Sequence, residues 1–185
     1  GPTGIGHGAV TVSADAVAVG SSGFRGDVET GGRRAVVAVG QTMEEDAHRR
    51  DFTMNALYAG ADGAVVDPLG GLSDLTARRV RFIENPHDRI REDYLRILRF
   101  FRFHAWYGDV DAGLDTEGYA ACAELSDGIT GLSRERIGAE MRKLLAAPEP
   151  APAVASMQMG GSLMRVLPGA DAAALALWVH VESEL

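Results

Sequence analysis

Arginines recur at every third position in "EDYLRILRFFRFHAWYG", residues 92 to 108: Arg96, Arg99 and Arg102, with Leu95, Phe100 and Phe103 set between them. A row of guanidiniums along a semi-apolar groove suits a multiply charged anion such as a triphosphate, because each planar fork can grip two phosphate oxygens at once. Asp93 lies three residues before Arg96. Cytosine and adenine both present an amino donor beside a ring-nitrogen acceptor, so Asp93 can accept from the amino group while Arg96 donates to the ring nitrogen. Guanine and uracil present the opposite order. A carboxylate–guanidinium pair therefore reads C and A together, without a nucleic-acid template. The competing reading is a solvated helix face, with Glu92, Asp93 and Arg96 forming ion pairs at i,i+3 and i,i+4 worth about 0.2–0.5 kcal/mol each. That reading leaves Arg99 and Arg102 without a carboxylate one turn away.

These residues need a helix to hold them. At about 100° per residue, Ile90, Tyr94, Ile97, Leu98, Phe101 and Ala105 share one face, and Glu92, Asp93, Arg96, Arg99 and Arg102 lie opposite. The spacing predicts one helical segment here and another over "MEEDAHRRDFTMNALYA", which starts acidic and stops at Gly60. Before residue 84 the remaining pattern is short β-like runs between glycine-rich turns: "AVTV", "AVAV", "RAVVAV", "AVV" and "RVRFI". From Pro86 onward helical patterns take over, with Asp115 and Ser133 as expected N-caps and "PEPAP" (148 to 152) as a short linker. An α+β fold follows.

Composition sets the bounds. The 185 residues are 46% hydrophobic and 24% charged, which suits a globular chain with one or two modest cores. A net charge of −8 argues against a uniformly basic nucleic-acid binder but allows a local basic groove. Cys122 is the single cysteine, and His7, His48, His87, His104 and His180 share no metal-ligand spacing with it or with one another. A reducing cytoplasmic setting is expected. No apolar run approaches the roughly 20 residues that span a bilayer, so no membrane partner is expected.

Several stretches together resemble the class II tRNA nucleotidyltransferases and bacterial poly(A) polymerases. "RRDFTMNALY" (Arg49 to Tyr58) resembles their RRD motif, and "DPLGGLSDL" (Asp67 to Leu75) their loop between catalytic head and neck. "EDYLRILRFFRF" (Glu92 to Phe103) is similar to their base-recognition motif, and "LSRERIGAEMRKLL" (Leu132 to Leu145) to the neck motif that follows. The segment from Met159 to Leu185 is similar to the start of their helical body. The resemblance implies the later part of a mixed-sheet nucleotidyltransferase head over residues 1–84. It further implies a helical neck for base recognition over 85–147 and the start of an RNA-binding helical body over 148–185. It implies nucleotide addition to the 3′ end of tRNA from CTP and ATP, or from ATP alone in a poly(A) polymerase. Asp93 and Arg96 would read the base, and Arg99 and Arg102 would run towards the phosphates. Arg50 and Asp51 would hold the ribose and phosphate side, supported by Arg49, Asn55 and Glu92. Set against this, Arg49, Arg50 and Asp51 can be read as a solvated helix turn, and Asp67, Gly70 and Gly71 as a purely structural one.

The family catalyses with a GGxxRD loop and a D-x-D strand that binds Mg2+, and neither occurs here in working form. "GGRR" (Gly31 to Arg34) lacks the following aspartate, and "DVD" (Asp109 to Asp111) falls in an expected surface turn. "PTGIGHGAVTV" (Pro2 to Val12) resembles the strand after the D-x-D region, which implies an internal piece of a longer enzyme, inactive alone and without metal ligands of its own. "GSSGFR" (Gly20 to Arg25) also departs from the family, with glycine where an acidic residue is usual. The remaining class of reading is a non-catalytic nucleotide- or RNA-binding module.

Overall fold

The structure is a computed structural model that describes residues 9–14, 17–22, 43–59 and 63–183. "GGRR", "RAVVAV" and the last three residues of "GSSGFR" lie outside the described residues. The chain divides into two compact units, Gly1–Arg49 and Arg50–Leu185. In the first, β1 (Ala9–Ala14) pairs antiparallel with β2 (Val17–Ser22), in a register that sets Ala9 opposite Ser22 and Ala14 opposite Val17. Alternating valines make both runs natural strands. Helix α1 (Met43–Arg49) carries Glu44, Glu45 and Asp46 in its first turn and His48 and Arg49 in its last, each sign at the helix end whose dipole favours it.

The helix expected to run on to residue 59 stops at Arg49. The backbone of the next residues takes other partners: Phe52 bridges Phe82, the Thr53 N–H donates to the Arg81 carbonyl at 3.0 Å, and the Ile83 N–H donates to the Asp51 carbonyl at 3.1 Å. Residues 53–55 form one 3-10 turn, and β3 (Tyr58–Ala59) pairs with β4 (Val65–Val66). Tertiary pairing thus overrides a helical pattern, and the strand expected at "RVRFI" is reduced to the single Phe82 bridge. Residues 50–84, which the sequence groups with the head, form one compact unit with the helices that follow.

Those helices are α2 (Gly71–Thr76), α3 (Pro86–Glu92), α4 (Leu95–Tyr107), α5 (Thr116–Glu124), α6 (Arg134–Leu145), α7 (Ala151–Met159), α8 (Ser162–Val166) and α9 (Ala173–Ser183). Local chemistry starts several of them. Asn85 accepts from the His87 N–H at 2.9 Å with Pro86 at the first helical position, Asp115 accepts from Gly118 at 2.9 Å, and Ser133 accepts from Arg136 at 3.4 Å. The caps at Asp115 and Ser133 are those the sequence predicts.

The continuous helix expected across residues 90–105 is in fact two helices. Asp93 is extended, with φ −157° and ψ 107°, and separates α3 from α4. The apolar stripe is also wider than expected. Ile90, Ile97, Leu98 and Phe101 are buried as predicted, but Phe100 is fully buried as well, stacked on Phe82 at 5.3 Å, and Phe103 lies 4.9 Å from Phe52. An aromatic cluster of Phe52, Phe82, Phe100 and Phe101 therefore fixes α4 on both sides, and the core continues through Met141, Leu144, Val154 and Met157.

The "DPLGG" turn is structural, as expected. Asp67 accepts from the Gly71 and Leu72 N–H groups at 2.7 and 2.9 Å, and Gly70 has φ +70°. Gly71 has no room for a side chain, because a Cβ there would run into the Thr53 carbonyl. Gly71→Ala is expected to cost about 1–3 kcal/mol through overpacking. Gly131→Ala, with open space around its Cβ, should stay within about 0.5 kcal/mol. Urea unfolding of the two variants compares them directly.

Candidate functional site

Asp51 is the centre of the site. Its side chain is 11% exposed, and its two oxygens take two different arginines of α4: Oδ1 accepts from Arg96 Nε at 2.8 Å, and Oδ2 from Arg99 Nε and Nη2 at 2.6 and 2.5 Å. Residues 45 and 48 positions apart in sequence thus share one buried carboxylate. The solvated-turn reading of Asp51 fails, since the carboxylate is buried and both oxygens are engaged. In this arrangement Asp51 orients the two arginines.

Arg96 is gripped from a second side by Glu92, and its Nη1 also donates to the Arg89 carbonyl at 2.6 Å. Glu92 in turn accepts from Arg89 Nη1 at 2.5 Å, and Arg89 Nη2 reaches the Arg50 carbonyl at 2.5 Å. Partial burial works against charge on Glu92, but the hydrogen bond from Arg96 and the charge of Arg89 outweigh it and leave the carboxyl below its usual range. Burial likewise opposes charge on Arg96, and pairing with Glu92 and Asp51 overcomes it, raising its pKa. The guanidinium stays charged and fixed in plane.

The other predicted residues take partners of their own. Arg50 donates to the Asn55 carbonyl at 3.2 Å and lies over the Tyr58 ring at 5.0 Å, while Asn55 Oδ1 accepts from the Phe52 N–H at 3.3 Å. Arg49 ends α1, in the other compact unit. Arg102, left unpaired by the local sequence, takes buried Glu140 of α6 at 2.5 Å and sits 4.6 Å over the Phe103 ring. Asp93 does not pair with Arg96 as the surface reading expects. Its Oδ1 accepts from the Leu95 N–H at 3.1 Å and its Oδ2 from Arg136 Nη2 at 2.6 Å. Sequence reasoning gave no role to Arg89, Arg136 or Glu140. Arg89 and Glu92 stand at i,i+3, a signal that was available; the two α6 partners carry none.

A second buried carboxylate was also missed. Asp74 accepts from Thr53 Oγ1 at 2.5 Å, from Arg79 Nε at 2.8 Å and from Arg81 Nε at 3.0 Å. Burial alone would raise its pKa, but these hydrogen bonds hold it below the usual carboxylate range. Asp109 accepts from the Asp111 and Ala112 N–H groups at 3.0 and 3.3 Å, which makes "DVD" a turn. Among the described residues no three His, Cys, Asp or Glu side chains gather as metal ligands. They do not fit a Mg2+ site. Cys122 is buried in the core, and burial pushes its thiol pKa up, so it is no nucleophile.

Two family models match the sequence: the poly A polymerase head domain over residues 2–81, and the probable RNA and SrmB-binding site of polymerase A over residues 113–174. The human mitochondrial CCA tRNA nucleotidyltransferase 1 is 43% identical over 122 residues, 66% of this chain and 28% of that protein. The CCA-adding enzyme of Geobacillus thermodenitrificans is 37% identical over 166 residues, 88% of this chain and 40% of that one. Among solved structures, the Bacillus stearothermophilus CCA-adding enzyme in complex with CTP superposes with a TM-score of 0.72 at 32% identity, covering 88% of this chain and 38% of that one. The chain spans less than half the length of each.

Asp51→Asn is expected to destabilise the fold by about 3–5 kcal/mol, because it leaves partly buried guanidiniums uncompensated, as a urea melt would show. Asp74 gives a pH signature. Its folded pKa is depressed, so its contribution is complete above the unfolded value of about 4 and is lost as pH falls through the lower folded value. The stability gap between wild type and Asp74→Asn should stay flat from about pH 7 to 5 and shrink below about pH 4.

Proposed function

The chain belongs to the family of CCA-adding tRNA nucleotidyltransferases and bacterial poly(A) polymerases, and from that premise we propose that it is part of an enzyme that adds CMP and AMP to the 3′ end of tRNA without a template. CTP and ATP are the donors, tRNA is the acceptor, and residues 50–145 of this chain supply nucleotide recognition. The observation that carries the reading is the junction between α3 and α4. There a half-exposed carboxylate, Asp93, stands three residues from a guanidinium, Arg96, that Asp51 and Glu92 hold in a fixed plane.

That geometry suits a base edge. Asp93 accepts from the exocyclic amino group shared by cytosine and adenine, and Arg96 donates to the adjacent ring nitrogen. GTP and UTP meet donor against donor and acceptor against acceptor. Unpaired polar groups left in a site of this kind cost enough to discriminate. Arg99 and Arg102, each already tied to one carboxylate, contribute positive potential along the triphosphate. Because both are pre-oriented, little side-chain entropy is lost when the nucleotide docks.

Equilibrium titration of CTP, ATP, GTP and UTP into the chain, beside Asp93→Ala, tests the reading. CTP and ATP should bind in preference, and the substitution should weaken both about tenfold or more while leaving GTP and UTP unchanged. Equal affinity for all four nucleotides would sink it. In a full-length form with its catalytic head, incorporation of both CMP and AMP into tRNA supports CCA addition, whereas incorporation of AMP alone points to a poly(A) polymerase.

A further inference from the structure

We propose that Arg136, in the first turn of α6, is a positioning residue that sets the base selectivity of the nucleotide site by fixing the plane of the Asp93 carboxylate. The inference rests on the reading of Asp93 as the base-edge acceptor. Asp93 lies in the break between α3 and α4 with extended backbone, so no helical neighbour restrains its side chain. One contact, from the Leu95 N–H to Oδ1, leaves the carboxylate free to swing about that hydrogen bond. The second, from Arg136 Nη2 to Oδ2 at 2.6 Å, removes that freedom. Each carboxylate oxygen can accept two hydrogen bonds. Oδ2 therefore keeps acceptor capacity for an amino group while Arg136 stays in place.

The donor is itself well braced. The Arg136 N–H is tied to the Ser133 side chain at 3.4 Å, and one turn further along α6 Glu140 holds Arg102 of α4 at 2.5 Å. Charges of opposite sign four residues apart on α6 thus reach two different parts of the proposed nucleotide face. The stability of α6 does not account for the choice of residue, because a cation in the first turn opposes the helix dipole. Nor does ion pairing account for it: the two side chains are 48% and 36% exposed, and such pairs add little to folding. Orientation of Asp93 is the effect left with a clear consequence.

The test uses this chain with Arg136→Ala, Arg136→Lys, Asp93→Ala and the Asp93→Ala/Arg136→Ala double variant, each checked for unchanged thermal melting and titrated with the four nucleoside triphosphates. Arg136→Ala should weaken CTP and ATP about tenfold and leave GTP and UTP unchanged, so that discrimination falls by the same factor. Arg136→Lys should recover part of the loss, and Arg136→Ala should add nothing in the Asp93→Ala background. Equal weakening of all four nucleotides would mean that Arg136 serves the phosphates, and tighter CTP and ATP binding would mean that it blocks Asp93. Either result, or no change, overturns the proposal. If Asp93→Ala abolishes selectivity while Arg136→Ala leaves it intact, only the role of Arg136 falls. A wild-type chain that binds all four alike removes the base reader and this inference together.

Discussion

A buried carboxylate that must be shared is the constraint on which the site depends. Asp51 is nearly inaccessible and has two oxygens, and α4 supplies two guanidiniums spaced to take one each. A single ion pair at that depth would gain little over the cost of removing both charges from water. Two arginines around one carboxylate, with Glu92 and the Arg89 carbonyl as further acceptors, give the cluster two guanidiniums against two carboxylates, so each charge is offset within it. The cluster forces a particular backbone. To bring Asp51 against α4, the chain has to leave the helical path after Arg49, and it does so by pairing residues 51–53 with 81–83.

That pairing and the aromatic cluster depend on each other. Phe52 follows Asp51 and packs against Phe82, Phe100 and Phe103, so the apolar contact and the ion pairs register the same segment on the same face of α4. Burial of the rings supplies the driving force, and the charged groups select one arrangement among those that would bury them equally well. Gly71 belongs to the same arrangement, because α2 meets the 3-10 turn at the Thr53 carbonyl, beside the bond from Thr53 to Asp74.

The charge pattern also bears on how an acidic chain would take the proposed anionic ligand. A net charge of −8 would repel polyphosphate at long range, yet screening limits that repulsion to about 10 Å at ordinary salt. Within that distance lie Arg89, Arg96, Arg99, Arg102 and Arg136, each held by a carboxylate or a carbonyl. The acidic partners offset the mutual repulsion of the cationic groups and aim them.

Read alone, the sequence determined the α+β class, the caps at Asp115 and Ser133 and the structural turn at Asp67, and it singled out Asp93, Arg96, Arg99 and Arg102 as candidates. These are legible because helix periodicity, capping and turn hydrogen bonds depend on residues close together in the chain. The same locality misled where a distant partner prevailed: a helix was expected through residues 50–59, and one continuous helix through Asp93. Only the tertiary structure decided that Arg99 answers to Asp51, Arg102 to Glu140 and Asp93 to Arg136, across separations of 48, 38 and 43 residues. No periodic pattern encodes such pairings, because they follow from which surfaces the aromatic core brings together.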